Sequence, residues 1–165
     1  MATGRHSEMM MRYFNTDCFD KVRNVLVLVM LMVVLSCDRD LSDDQIPFAS
    51  FGTISINLNL PEYQKLRTSG NTYINSGGVR GIILYQANPT TFIAYERNCS
   101  YRPNEACSTV EVHASNLYMF DPCCNSTFDF ATGTPTSGAA WRPLRTYETQ
   151  LSGSILTITD RVIEN

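Results

Sequence analysis

The sequence predicts an all-β domain, a small sandwich or barrel with little helix, and three observations carry that reading. Ile54, Ile56, Leu58 and Leu60 alternate with Ser55, Asn57 and Asn59, so four aliphatic side chains fall on one face of an extended segment. Further runs of strand-forming residues follow at short spacing, at 79–85, 91–97, 109–112, 117–120, 146–151 and 155–158. Clusters of Gly, Asn, Pro and Ser punctuate them, at Ser76-Gly77-Gly78, Ala87 to Pro89, Gly133 to Gly138 and Ser152-Gly153-Ser154. Strands this short and this closely spaced need to close on one another to bury their apolar faces.

Taken in order, the chain begins with a segment that does not belong to that domain. Val25 to Leu35 is an unbroken apolar run preceded by Lys21 and Arg23 and followed by Ser36 and Cys37. As a helix it rises about 16 Å, against a hydrocarbon core of about 30 Å, which is the length of a signal-peptide core rather than of a membrane span. Ser36-Cys37 resembles the bacterial lipobox, which implies removal of residues 1–36 and a lipid on Cys37. Residues 37–45, with Asp38, Asp40, Asp43 and Asp44, are too polar to fold and form a solvated tether. Such acidic stretches resemble the surface-export signals of Bacteroidetes lipoproteins. The domain is expected over 46–160, in the cell envelope, anchored to the outer membrane by lipid and facing the periplasm or the surface.

Within the domain, Ile54 to Leu60 reads as the first strand and Glu62 to Thr68 as the one helical turn. Ser152-Gly153-Ser154 reads as the hairpin turn between the last two strands, and Trp141 as a residue covering one end of the core. The formal net charge is only −3 and the basic residues are dispersed. Nucleic acid is therefore excluded as a partner. The composition does not distinguish a protein from a glycan partner. His113 is the only histidine after the leader and has no acid partner in the pattern, which excludes a Ser-His-Asp hydrolase.

Six cysteines occur. Cys18 lies in the leader and Cys37 takes the lipid, leaving Cys99, Cys107, Cys123 and Cys124. An even number outside the cytoplasm suggests two disulfides, with three pairings open.

The stretch DPCCNSTFD, Asp121 to Asp129, resembles the second cluster-binding loop of Rieske domains, Cys-Pro-Cys-His-Gly-Ser-x-Phe-Asp. A glycine turn, a Ser-Gly-Ala-Ala bend, Pro143-Leu144 and a closing hairpin follow it, as in that family. AYERNCSY, Ala94 to Tyr101, resembles the strand entering the first loop, where the family has Cys-x-His. The resemblance implies a small β fold with two tip loops. It places the 2Fe-2S ligand positions on Cys99, Tyr101, Asp121 and Cys124, and an auxiliary disulfide on Cys107 and Cys123. Of the four ligand positions only Cys99 keeps the family's residue type. A Rieske centre needs two imidazoles on one iron, and His113 lies between the loops. The expectation is therefore a degenerate Rieske-like domain without a cofactor, a structural or binding module rather than an enzyme. Its tip is expected to be closed by Cys107–Cys123 and Cys99–Cys124. The alternatives are an electron-transfer protein holding a 2Fe-2S cluster or another metal at Cys99, Tyr101, Asp121 and Cys124, and a redox-active Cys99–Cys124 disulfide.

Overall fold

The computed structural model describes residues 20–30 and 45–163. Residues 20–30 are helical, and among the described residues no helix is long and apolar enough to cross a membrane. Cys18, Cys37, the cleavage point expected before it and the expected tether up to residue 44 lie outside the described residues.

The domain is all-β, built from two antiparallel sheets. The larger holds β1 (Ile54–Asn57), β2 (Asn71–Ile74), β3 (Ile82–Asn88), β4 (Thr91–Glu96), β9 (Thr146–Ser152) and β10 (Ile155–Ile163), in the order β1-β10-β9-β4-β3-β2. The smaller runs β5 (Glu111–Val112), β6 (Met119–Asp121), β7 (Ser126–Phe128) and β8 (Pro135–Ser137) in sequence order. Pairing of Ser152 with Ile155 leaves Gly153-Ser154 as the expected two-residue hairpin turn.

Alternation on β3 and β4 feeds two cores. Ile82, Leu84 and Ala94 pack with Ile56, Leu156 and Ile158 on one face. Ile83 and Tyr95 turn the other way, onto Met119, Phe128 and Leu144 from the smaller sheet and its flanks. These two strands are thus buried on both sides, which is what fixes the smaller sheet, and with it the tip loops, against the larger.

Several expected boundaries move, each for a local reason. The first strand stops at Asn57, because its side-chain Oδ1 accepts from Asn59 N (3.0 Å) and its carbonyl from Leu60 N (3.1 Å). This turn removes Leu58 and Leu60 from the strand face. The expected helical turn is real, as a 3-10 turn Pro61–Tyr63 running into α1 (Gln64–Ser69), which ends on left-handed Gly70. β2, β7 and β8 come from segments not read as strands. The strand expected from Val79 begins only at Ile82, since Val79 and Arg80 donate their N–H groups to the Glu96 carboxylate instead (2.7 and 3.1 Å). Trp141 is not core: it is 67 % exposed, with the Arg142 guanidinium 4.8 Å from its ring centre.

The chain reaches β1 along a fixed path. Arg145 donates from Nη1 to the Pro47 carbonyl (2.6 Å) and from Nη2 to that of Ile46 (2.5 Å). Asp160 then accepts from Ser50 Oγ (3.0 Å).

Glu96, fully buried at the end of β4, gathers donors from three segments of the chain. Besides Val79 and Arg80 it accepts from Asn98 N (2.8 Å) and the Tyr147 hydroxyl (2.7 Å). Glu96→Gln replaces one acceptor oxygen by a donor that faces these N–H and O–H groups. It should cost about 2–4 kcal/mol, read as a lower urea midpoint with an unchanged slope.

Candidate functional site

The first tip loop leaves β4 just beyond Glu96. It makes few ladder bonds, so side chains hold it. Arg80 spends its guanidinium on it, donating from Nε to Asn98 Oδ1 (2.8 Å), from Nη1 to the Ala106 carbonyl (2.7 Å) and from Nη2 to the Glu105 carbonyl (2.6 Å). A planar fork with five donors suits a loop whose carbonyls have no strand partner. Ser100 Oγ donates to the Arg142 carbonyl (2.7 Å) and Ser108 Oγ to that of Tyr101 (3.0 Å). Cys99 is thereby held fully buried, packed in the second core.

The second loop is the four-residue connection between β6 and β7, whose Asp121 and Ser126 pair directly. Asn125 closes it in the left-handed region at φ +56°, at the position where the resembling motif has glycine; asparagine tolerates that conformation better than most residues. Asp121 Oδ1 accepts from Cys123 N (2.8 Å), and Ser126 Oγ accepts from Ala140 N (2.8 Å), pinning the loop to the bend that follows Gly138. Gly138 has φ +89°, and a Cβ there would stand 2.4 Å from Ser126 Cα and 2.5 Å from the Asn125 carbonyl oxygen. Only glycine lets the bend pass this close.

The two loops meet. Cys107 and Cys123 are joined by a disulfide, the bridge that the resemblance implies. Beneath it Cys99 Sγ and Cys124 Sγ stand 3.9 Å apart, and Cys124 Sγ lies 3.4 Å from Asp121 Oδ2. The domain is Rieske-like. The expected Cys99–Cys124 bridge is not formed in this structure, where both are free thiols. Burial pushes the Cys99 thiol well above its ordinary range. The Tyr101 N–H donating to its sulfur (3.5 Å) opposes that rise, and the Asp121 carboxylate adds to it. Tyr101 presents its ring to the Arg102 guanidinium, 5.4 Å away.

No family model matches the chain, and no curated protein matches it. Among solved structures the domain is similar to the cyanobacterial plasma-membrane Rieske protein PetC3 of Synechocystis PCC 6803. Identity is 26 %, over 58 % of this chain and 92 % of that one, with a TM-score of 0.47. It is also similar to a chain in the complex of reduced oxygenase and oxidised ferredoxin of carbazole 1,9a-dioxygenase, at 16 % identity over 59 % and 86 % and a TM-score of 0.43. A third is the ferredoxin of carbazole 1,9a-dioxygenase from Nocardioides aromaticivorans IC177, at 18 % identity over 55 % and 85 % and a TM-score of 0.38.

The donors at the tip do not fit a Rieske cluster. That centre takes two thiolates on one iron and two imidazoles on the other; Cys99, Asp121 and Cys124 converge here. His113, the only histidine among the described residues, lies in the β5–β6 turn, at the end of β6 remote from Asp121. It stacks on Tyr118 (4.3 Å) and bonds to Ser115 Oγ (2.8 Å).

Sequence reasoning named the cysteines and Asp121 but missed Glu96 and Arg80, which place the first loop. Their only signal was a carboxylate ending an apolar strand and an arginine after a Gly-Gly turn.

Two variants test this architecture. Cys107→Ala/Cys123→Ala opens a loop with a sequence separation of 16 and should lower unfolding free energy in urea by about 3 kcal/mol. Gly138→Ala should destabilise by more than about 2 kcal/mol, with amide exchange in native protein rising first at residues 123–126.

Proposed function

We propose that the chain is a lipid-anchored cell-envelope protein of the outer membrane, whose Rieske-like domain works without a 2Fe-2S cluster as a structural or binding module. The observation that carries the reading is the donor set of the tip. Two thiols and a carboxylate converge there, and the one imidazole among the described residues, that of His113, lies away in the β5–β6 turn. Without imidazoles the raised potential of a Rieske centre has no source. The rest of the apparatus for holding two loops together is in place, from the Cys107–Cys123 bridge to the Arg80 fork. Such a tip presents a rigid surface, and exposed Trp141 flanks it through the Arg142–Ser100 contact. The anchor rests on the apolar run before Ser36-Cys37 and the acidic stretch after it.

A second reading, electron transfer through a metal centre at Cys99, Tyr101, Asp121 and Cys124, is favoured by the convergence of three of these side chains. The full chain, produced in a bacterial host and extracted from membranes, separates the two. A colourless protein without iron is expected, with diacylglyceryl on Cys37 by mass spectrometry and loss from the membrane fraction on Cys37→Ser. A brown, iron-bearing protein would establish the second reading. An unmodified Cys37 would sink the anchor.

A further inference from the structure

Two distances at the tip are close to the edges of a ligand tetrahedron. Zinc binds thiolate sulfur at about 2.3 Å and carboxylate oxygen at about 2.0–2.2 Å, so tetrahedral angles put two sulfurs about 3.8 Å apart and sulfur and oxygen about 3.6 Å apart. The observed Sγ···Sγ separation of Cys99 and Cys124 is 3.9 Å, and Cys124 Sγ to Asp121 Oδ2 is 3.4 Å. One ligand atom from each of the three residues lies within 4.8 Å of the others. A disulfide would instead need the two sulfurs at about 2.05 Å.

Charge points the same way. Asp121 is fully buried, and among the described residues no ion pair joins it to a cation. A buried carboxylate is costly unless an opposite charge or a metal accompanies it. Its Oδ1 is already engaged by Cys123 N, which leaves Oδ2 on the side of Cys124. Each donor is also held by a neighbour of its own, Cys99 by Tyr101 N and Cys124 by Ser126 Oγ at 3.1 Å. That is the kind of support metal ligands commonly have.

From this geometry we infer that Cys99, Asp121 and Cys124 form a mononuclear site for one thiolate-seeking divalent ion, with zinc the best match, where the resembling fold would carry two irons. Two thiolates exclude the oxygen-only preferences of magnesium and calcium. Three protein donors leave a fourth position for solvent. The inference goes beyond the cluster-free reading and rests on it, because an iron-sulfur cluster would occupy the same thiols.

The test uses the full chain extracted with the Cys107–Cys123 bridge intact, stripped with a chelator and titrated with zinc or cobalt(II) alone. One equivalent is expected to bind, cobalt giving thiolate charge-transfer absorption and the strong visible bands of a tetrahedral ion. Cys124→Ser, which leaves Cys99 as the one thiolate, should weaken the charge-transfer band by about half or more. Asp121→Asn, which keeps an acceptor for Cys123 N, should weaken zinc binding by more than the roughly 10- to 100-fold that loss of a ligand's supporting partner costs. Peptide mapping that finds Cys99 disulfide-bonded to Cys124 as extracted, or free thiols that bind no metal, would overturn the site and leave the cluster-free reading standing. Bound iron with visible colour would overturn both.

Discussion

The tip depends on one problem of hydrogen-bond satisfaction. A loop that leaves a sheet carries backbone groups without ladder partners, and burying them unpaired costs more than the loop's packing returns. Glu96 and Arg80 solve this together. The carboxylate gathers Val79 N, Arg80 N and Asn98 N with the Tyr147 hydroxyl, and the guanidinium takes the Ala106 and Glu105 carbonyls. The two hold the turn before β3 and the loop after β4 in one arrangement. Cys99 lies inside that arrangement and Cys107 at its rim, so the meeting with Cys123 and Cys124 follows from it.

Within that framework the donors of the tip differ from those of the resembling motif. Thiol and carboxylate stand where the resembling motif has imidazole and thiol, and asparagine stands where it has glycine. The supports do not depend on those identities. Ser126 ties the second loop to the bend, Gly138 permits the close pass, and β3 and β4 pack on both faces. Loops can change their donors while a doubly buried pair of strands cannot change its side chains cheaply.

Much of this was legible in the sequence, and the failures have physical causes. Segments with alternation or continuous burial, such as 91–96 and 155–158, announce themselves because their periodicity is the imprint of a buried face, whereas the half-exposed extension of the last strand to Ile163 does not. Ser126–Phe128 and Pro135–Ser137 do not: three residues are too few to show a period, and Pro, Thr and Ser read as turn. Leu58 and Leu60 continued the alternation but lost to an Asn57 side chain that captured the backbone. At the site, the family resemblance carried the Cys107–Cys123 pairing, which the cysteine count left open among three, whereas Glu96 and Arg80 act only once distant segments are brought together. The tip sulfurs were expected in two bridges, and the free pair at Cys99 and Cys124 is a matter of distance that spacing does not encode.

The path of the chain into the domain has a mechanical consequence. Ile46 and Pro47 are gripped by Arg145, Ser50 is tied to Asp160, and β1 then runs antiparallel to β10. Tension arriving from the amino-terminal side meets the guanidinium first. It then loads the β1–β10 ladder lengthwise, so that its rungs resist together rather than opening one after another. The seam nearest any leash is thus built for shear, and the tip loops are spared the tug.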